Sequence, residues 1–158
     1  MIKMGTDIRK LKVRYSMKKY LWLFLAMVML IFIWGNSLEQ AATSKAVSGI
    51  LTGIVANVLQ FLHIHVEFFV LHHLVRKLAH FTEFTILGVF VYKALSVFKV
   101  AKGLTIAVVI GFLSAVVDET IQVFIPGRSS QVSDVVLDSC GVLVGVLIIY
   151  WFTKRTRD

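Results

Sequence analysis

Eight polar side chains stand where an otherwise apolar sequence should have none. Arg76, His80 and Glu83 are spaced i, i+4, i+7, so they share one helix face. Asp118 and Gln122 repeat the i, i+4 spacing with Glu119 beside them, and Asp134 and Asp138 repeat it again. Between the last two groups lies Pro126-Gly127-Arg128-Ser129-Ser130. A histidine beside carboxylates is the material of proton transfer or nucleophilic attack. Arginines offer a planar fork matched to phosphate. The carboxylates Asp118, Glu119, Asp134 and Asp138 could alternatively hold Mg²⁺, Mn²⁺ or Ca²⁺ through oxygen ligands.

The elements that must position these groups are set by hydropathy. Of 158 residues, 58% are hydrophobic, against about 45–50% in typical globular chains, and the mean hydropathy is +0.82. The apolar residues cluster into runs of roughly 20, the length that crosses a bilayer as a helix. The runs predict an all-α integral membrane bundle with spans at about 20–36, 78–98, 103–125 and 132–152. Pro126-Gly127 stops the third span. The region from Asn36 to Val75 is too polar for a clean span. Within it, at about 48–63, Ile50, Leu51, Ile54, Val55, Val58, Leu59 and Leu62 recur at helical spacing, with Thr52, Asn57, Gln60 and His63 elsewhere on the wheel. That pattern predicts an amphipathic helix that lies in the interface or packs over the mouth of the bundle. Residues 1–19 and 154–158 read as basic tails around one membrane domain, 20–153. The tail is long for the n-region of a signal peptide, so residues 20–36 are read as a retained span.

Net charge is +8, and its placement gives the orientation. Basic residues gather before the first span (Lys3, Arg9, Lys10, Lys12, Arg14, Lys18, Lys19), between the second and third (Lys93, Lys99, Lys102), and after the fourth (Lys154, Arg155, Arg157). With four spans these places share one side, and the positive-inside rule makes it the cytoplasm. The opposite side keeps Lys45, Arg76, Lys77 and Arg128. Both termini are therefore expected inside, and the three polar clusters outside, at one depth. Ionisable residues within spans are costly and are functional suspects by default. The bland alternative is a structural network that locks the bundle.

Other features say less. Cys140 is the single cysteine, so no intrachain disulfide forms. His63, His65, His72 and His73 match no standard zinc spacing and read as interfacial histidines. Gly141-x-x-x-Gly145 suits close helix packing, within one chain or between two. The N-terminal charge suits anionic lipid heads better than nucleic acid, since no recognition module follows it.

Two stretches carry a resemblance. Arg76-Lys77-x-x-His80-Phe81-x-Glu83-Phe84-x-x-Leu87-Gly88 resembles the first signature of the VanZ-like family. Asp118-Glu119-x-x-Gln122-x-Phe124-x-Pro126-Gly127-Arg128, followed by Asp134 and Gly141, resembles its second. The likeness runs from about Tyr20 to Trp151. Ser139-Cys140 departs from the Asn or Thr that many members carry after the fourth-span Asp. The family's namesake is associated with low-level resistance to the glycopeptide teicoplanin, which acts on cell-wall precursors outside the membrane. The family has also been grouped, by its polar core, with enzymes that exchange or cleave lipid head groups.

Together these readings make a membrane enzyme acting on phosphate-containing lipid head groups or a lipid-linked precursor the leading expectation. His80 would be base or nucleophile, oriented by Glu83 or Asp118, with Glu119 beside them. Arg76 and Arg128 would hold phosphate, Gln122 and Ser130 would supply hydrogen bonds, and Asp134 and Asp138 would complete the binding surface. The competing expectation is a non-catalytic factor that binds the precursor or the antibiotic and alters its surface access. A transporter is disfavoured, because polar residues at one end offer no through-path.

Overall fold

A computed structural model of the chain describes residues 2–39, 41–128 and 130–155, with side chains described for 19–39, 48–128 and 130–155. Ser129, expected in the outer turn, and the end of the C-terminal basic tail lie outside the described residues. Five helices form among the described residues: α1 (Ile2–Leu38), α2 (Ala41–Phe61), α3 (Phe68–Val97), α4 (Gly103–Val123) and α5 (Val132–Arg155). Four of them contain a stretch long and apolar enough to cross a membrane; in α1 that stretch is Lys19–Leu38. The chain is thus an all-α, multi-pass membrane protein.

One span differs from the sequence reading in where it starts, and the amphipathic helix is present as expected. α3 begins at Phe68 and not near Leu78. Its 30 residues measure about 45 Å against a hydrocarbon core of about 30 Å. A helix can carry His72, His73, Arg76 and Lys77 on turns that leave the apolar layer, and hydropathy alone cuts it short there. α2 presents its apolar stripe outward: Ile50, Leu51, Ile54 and Val58 are exposed, while Thr52 is fully buried. Ser48 Oγ lies 3.0 Å from His72 Nε2 on α3. Ser48 and Thr52 thus face protein, and the exposed apolar residues of α2 point away from the bundle, as a lipid contact requires.

The same inversion holds for the whole bundle. Phe24, Ile31, Leu78, Phe112, Leu113, Val136 and Ile148 are exposed. Ser37, Ser114, Asp118, Glu119, Gln122 and Asp138 are buried. A lower layer of the interior is apolar, built on Ile33, Phe84, Leu87, Val91, Val142 and Val146.

The closest packing joins α3 and α5. A methyl group on Gly145 would strike the carbonyl oxygen of Thr85, and one on Gly141 would strike that of Phe81. Gly88 is pressed in the same way against the Val142 backbone. The Gly141-x-x-x-Gly145 pair is therefore used within the chain, to let two helix backbones touch. The turn after α4 is set by the single proline, Pro126, and by Gly127 at φ 81°, a left-handed conformation that favours glycine.

These contacts predict that Gly145→Val lowers the melting temperature of the detergent-purified protein. Overpacking of this kind costs about 1–3 kcal/mol, and a rigid carbonyl cannot move aside. Gly35→Ala, where a methyl group meets nothing within 4 Å, leaves the melting temperature unchanged. Equal melting temperatures for both variants would contradict the described α3–α5 contact.

Candidate functional site

All the polar clusters meet at one end of the bundle, where α1 and α4 finish and α3 and α5 begin. Asp118 of α4 is the fixed point. It is fully buried, and its Oδ1 accepts a hydrogen bond from Ser37 Oγ of α1 at 2.5 Å. Its Oδ2 accepts from Gln122 Nε2, one turn along α4, at 2.9 Å. Gln122 Oε1 in turn accepts from Arg76 Nη2 of α3 at 3.3 Å. His80, also on α3, holds its Nδ1 at 4.0 Å from Asp118 Oδ2. That is beyond hydrogen-bond distance, but close enough for a small rotation to join them.

The remaining groups flank this core. Lys77 Nζ donates to Asp134 Oδ1 at 2.9 Å across the α3–α5 junction, with side chains 44% and 27% exposed. Glu119 Oε2 accepts from the backbone N–H of Gln131 at 2.9 Å. This satisfies a donor just ahead of α5 that the helix itself leaves open. Asp138 stands apart. It is fully buried, and neither of its carboxylate oxygens has a hydrogen-bond partner among the described residues. An unsatisfied buried polar atom costs about 1–3 kcal/mol, more if charged.

Between α3, α4 and α5 these side chains wall a cavity of about 50 Å³. His73, Arg76, Lys77 and His80 line it from α3, Glu119 and Gln122 from α4, Gln131 from just before α5, and Asp134, Leu137 and Asp138 from the first turns of α5. Water occupies about 30 Å³ per molecule in the liquid. The cavity therefore has room for an ion or one or two waters, and a larger group would sit at its mouth.

The structure brings together Arg76, His80, Asp118, Glu119, Gln122, Asp134 and Asp138. Three expected site residues lie elsewhere. Glu83 does not line the cavity; its Oε1 accepts from Asn36 Nδ2 of α1 at 3.4 Å, so Asp118 is the carboxylate beside His80. Arg128 donates from Nη2 to the Asn36 carbonyl oxygen at 2.5 Å and from Nε to that of Glu39 at 3.3 Å. It thus ties down the C-terminal carbonyls of α1, a favourable place for a cation. Partial burial, and then the charge of Arg76, pull its guanidinium below its ordinary pKa, while Asp118, Glu39 and Glu119 act the other way. Ser130 is exposed and outside the cavity. The expected all-carboxylate cation set also does not converge: Glu119 and Asp134 are engaged as described. The potential metal-ligand atoms that do converge belong to His80, Asp118 and Asp138.

Ser37, Asn36, Lys77 and Gln131 were absent from the expected site. The only signal for the first two was that an apolar span ends in Asn36-Ser37.

A family model described as VanZ/LLP1 matches residues 20–153. The chain belongs to the VanZ/LLP1 family. The match takes in all four apolar stretches and every residue of the cavity, so in this VanZ/LLP1 protein the site is part of the family domain. No curated protein and no solved structure matches the chain.

The network predicts unequal losses. Gln122→Ala strands Asp118 Oδ2 and lowers stability by about 1–3 kcal/mol. Lys77→Ala breaks a half-exposed pair and costs about 1 kcal/mol or less. Thermal unfolding in detergent checks both, and the reverse order would contradict the buried network.

Proposed function

We propose that this VanZ/LLP1 protein works at the outer face of the cell membrane on phosphate-containing lipid head groups or lipid-linked cell-wall precursors, and contributes in this way to glycopeptide (teicoplanin) resistance. The observation that carries the reading is the cavity itself, with cations on one wall and a histidine backed by a buried carboxylate at its base. The charge asymmetry supports an outer-face site, since the opposite end of the bundle carries Lys93, Lys99, Lys102, Lys154 and Arg155.

The roles follow from position. Arg76 gives one N–H to Gln122 and keeps the rest of its fork for a phosphate at the cavity mouth. Lys77 adds a second cation. His80 takes the proton of an attacking water or alcohol, whose oxygen bonds to phosphorus. The phosphorus–oxygen bond to the departing group breaks, and that oxygen is protonated by water at the mouth. Asp118, held by Ser37 and Gln122, stabilises the imidazolium that forms.

A second reading is favoured by one observation. The cavity is too small to enclose a head group, and the outward apolar face of α2 offers a surface for acyl chains. On that reading the protein binds a lipid-linked precursor or the antibiotic without chemistry and alters its access to the surface.

Lipid extraction and mass spectrometry separate the two. Cells expressing wild type, His80→Ala or no protein are compared at matched membrane levels. The enzyme reading expects a head-group species that changes with wild type, and an effect reduced by roughly 100-fold or more in the variant. Three identical profiles would overturn it in favour of the binding reading.

A further inference from the structure

We propose that His80, Asp118 and Asp138 form a binding site for a divalent transition-metal ion. One ligand atom from each residue lies within 4.8 Å of the others. The three come from α3, α4 and α5, so the site forms only when the bundle closes.

A cluster of acidic residues is no site in itself. Here Asp138 supplies the independent observation. It is fully buried, it lines the cavity beside His80, and both of its oxygens are unpartnered among the described residues. Every other buried side-chain polar group at this end has a protein partner: Asp118, Gln122, Ser37 and Glu119 are all hydrogen-bonded. A cation satisfies a buried carboxylate that no protein donor among the described residues reaches, and a doubly charged one balances the two carboxylates together.

The donor set narrows the ion. Mg²⁺ and Ca²⁺ prefer all-oxygen surroundings. One imidazole with two carboxylates suits Zn²⁺ or Mn²⁺. Three protein ligands with space alongside is the pattern of a site that keeps a position open for water or substrate. The 50 Å³ cavity supplies that space. Ligands at about 2.0–2.2 Å from a four-coordinate ion stand about 3.4 Å apart, so the side chains draw in by about 1 Å when the ion binds. Ser37 and Gln122 then act as supports, since hydrogen bonds to a ligating carboxylate fix its orientation.

The site deepens the head-group reading, and rests on it only for what the ion would do. There it supplies Lewis acidity toward a phosphoryl oxygen and a more acidic bound water. His80 would then hold the ion in place of acting as base, and the proton lost by the bound water would pass to solvent at the cavity mouth.

The test uses the full chain in detergent, stripped with a chelator. It is dialysed against Zn²⁺ or Mn²⁺ alone and then against metal-free buffer, and metal per chain is read by mass spectrometry. Wild type is expected to retain about one ion and to melt at a higher temperature with it. Asp138→Asn, equal in shape, should lose affinity by roughly 10-fold or more and lose the thermal shift. If that variant aggregates, His80→Ala takes its place with the same expectation. The paired change His63→Ala and His65→Ala, both outside the cavity, should leave the ion bound. A wild type that retains neither ion overturns the site. So does an Asp138 variant that keeps the ion, or a His63/His65 variant that loses it. Bound metal with unchanged cell lipids would drop the head-group reading and leave the ion site. A lipid change that survives Asp138→Asn would drop the ion site and leave the head-group reading.

Discussion

A carboxylate buried between membrane helices can turn only to polar groups inside the bundle, and the rest of this structure is arranged around that constraint. Insertion scales put an ionisable residue at a helix centre at about 2.5–3.5 kcal/mol. The chain places Asp118, Glu119 and Asp138 out of lipid contact, and polar groups of the bundle gather around them. Four helices answer at one end. α1 brings Ser37, α3 brings Arg76 and His80, and α4 brings Gln122. The start of α5 brings the Gln131 amide. The polar site and the closure of the bundle are thus one event.

Its geometry depends on glycine. Gly141 follows Asp138 by nearly one turn and rests on the carbonyl of Phe81, the residue after His80. Gly145 continues the contact at Thr85. The backbone approach of α3 and α5 therefore fixes how far Asp138 stands from His80. The apolar layer below, around Phe84, Leu87, Val142 and Val146, separates this end from the lysine-rich end and leaves no polar path between them among the described residues.

Much of this could be read from the sequence, for a physical reason. Lipid demands long apolar runs, so the helices that cross the membrane announce themselves, and polar residues inside them stand out. The spacings of Arg76 with His80, Asp118 with Gln122, and Asp134 with Asp138 placed three clusters at one depth, and the structure joins them. What could not be read depended on which way a helix faces. Nothing in the spacing shows that Glu83 turns to Asn36, or that Arg128 caps α1. The early start of α3 was hidden because hydropathy stops at the edge of the apolar layer while the helix does not. Ser37 was overlooked because a serine at the end of an apolar run looks like any exit from the membrane, until Asp118 is found beside it.

On the proposed reading, this polar end serves function and is not a lock that holds the bundle. Asp138→Leu tests it most directly, because leucine keeps the branched shape and removes both unpartnered oxygens. Replacing buried charge by apolar atoms of similar form is often neutral or stabilising. The account predicts a melting temperature equal to or above that of wild type, together with loss of the protein's effect on cell lipids. A melting temperature that falls, with the lipid effect declining only in step with the amount of folded protein, would contradict it.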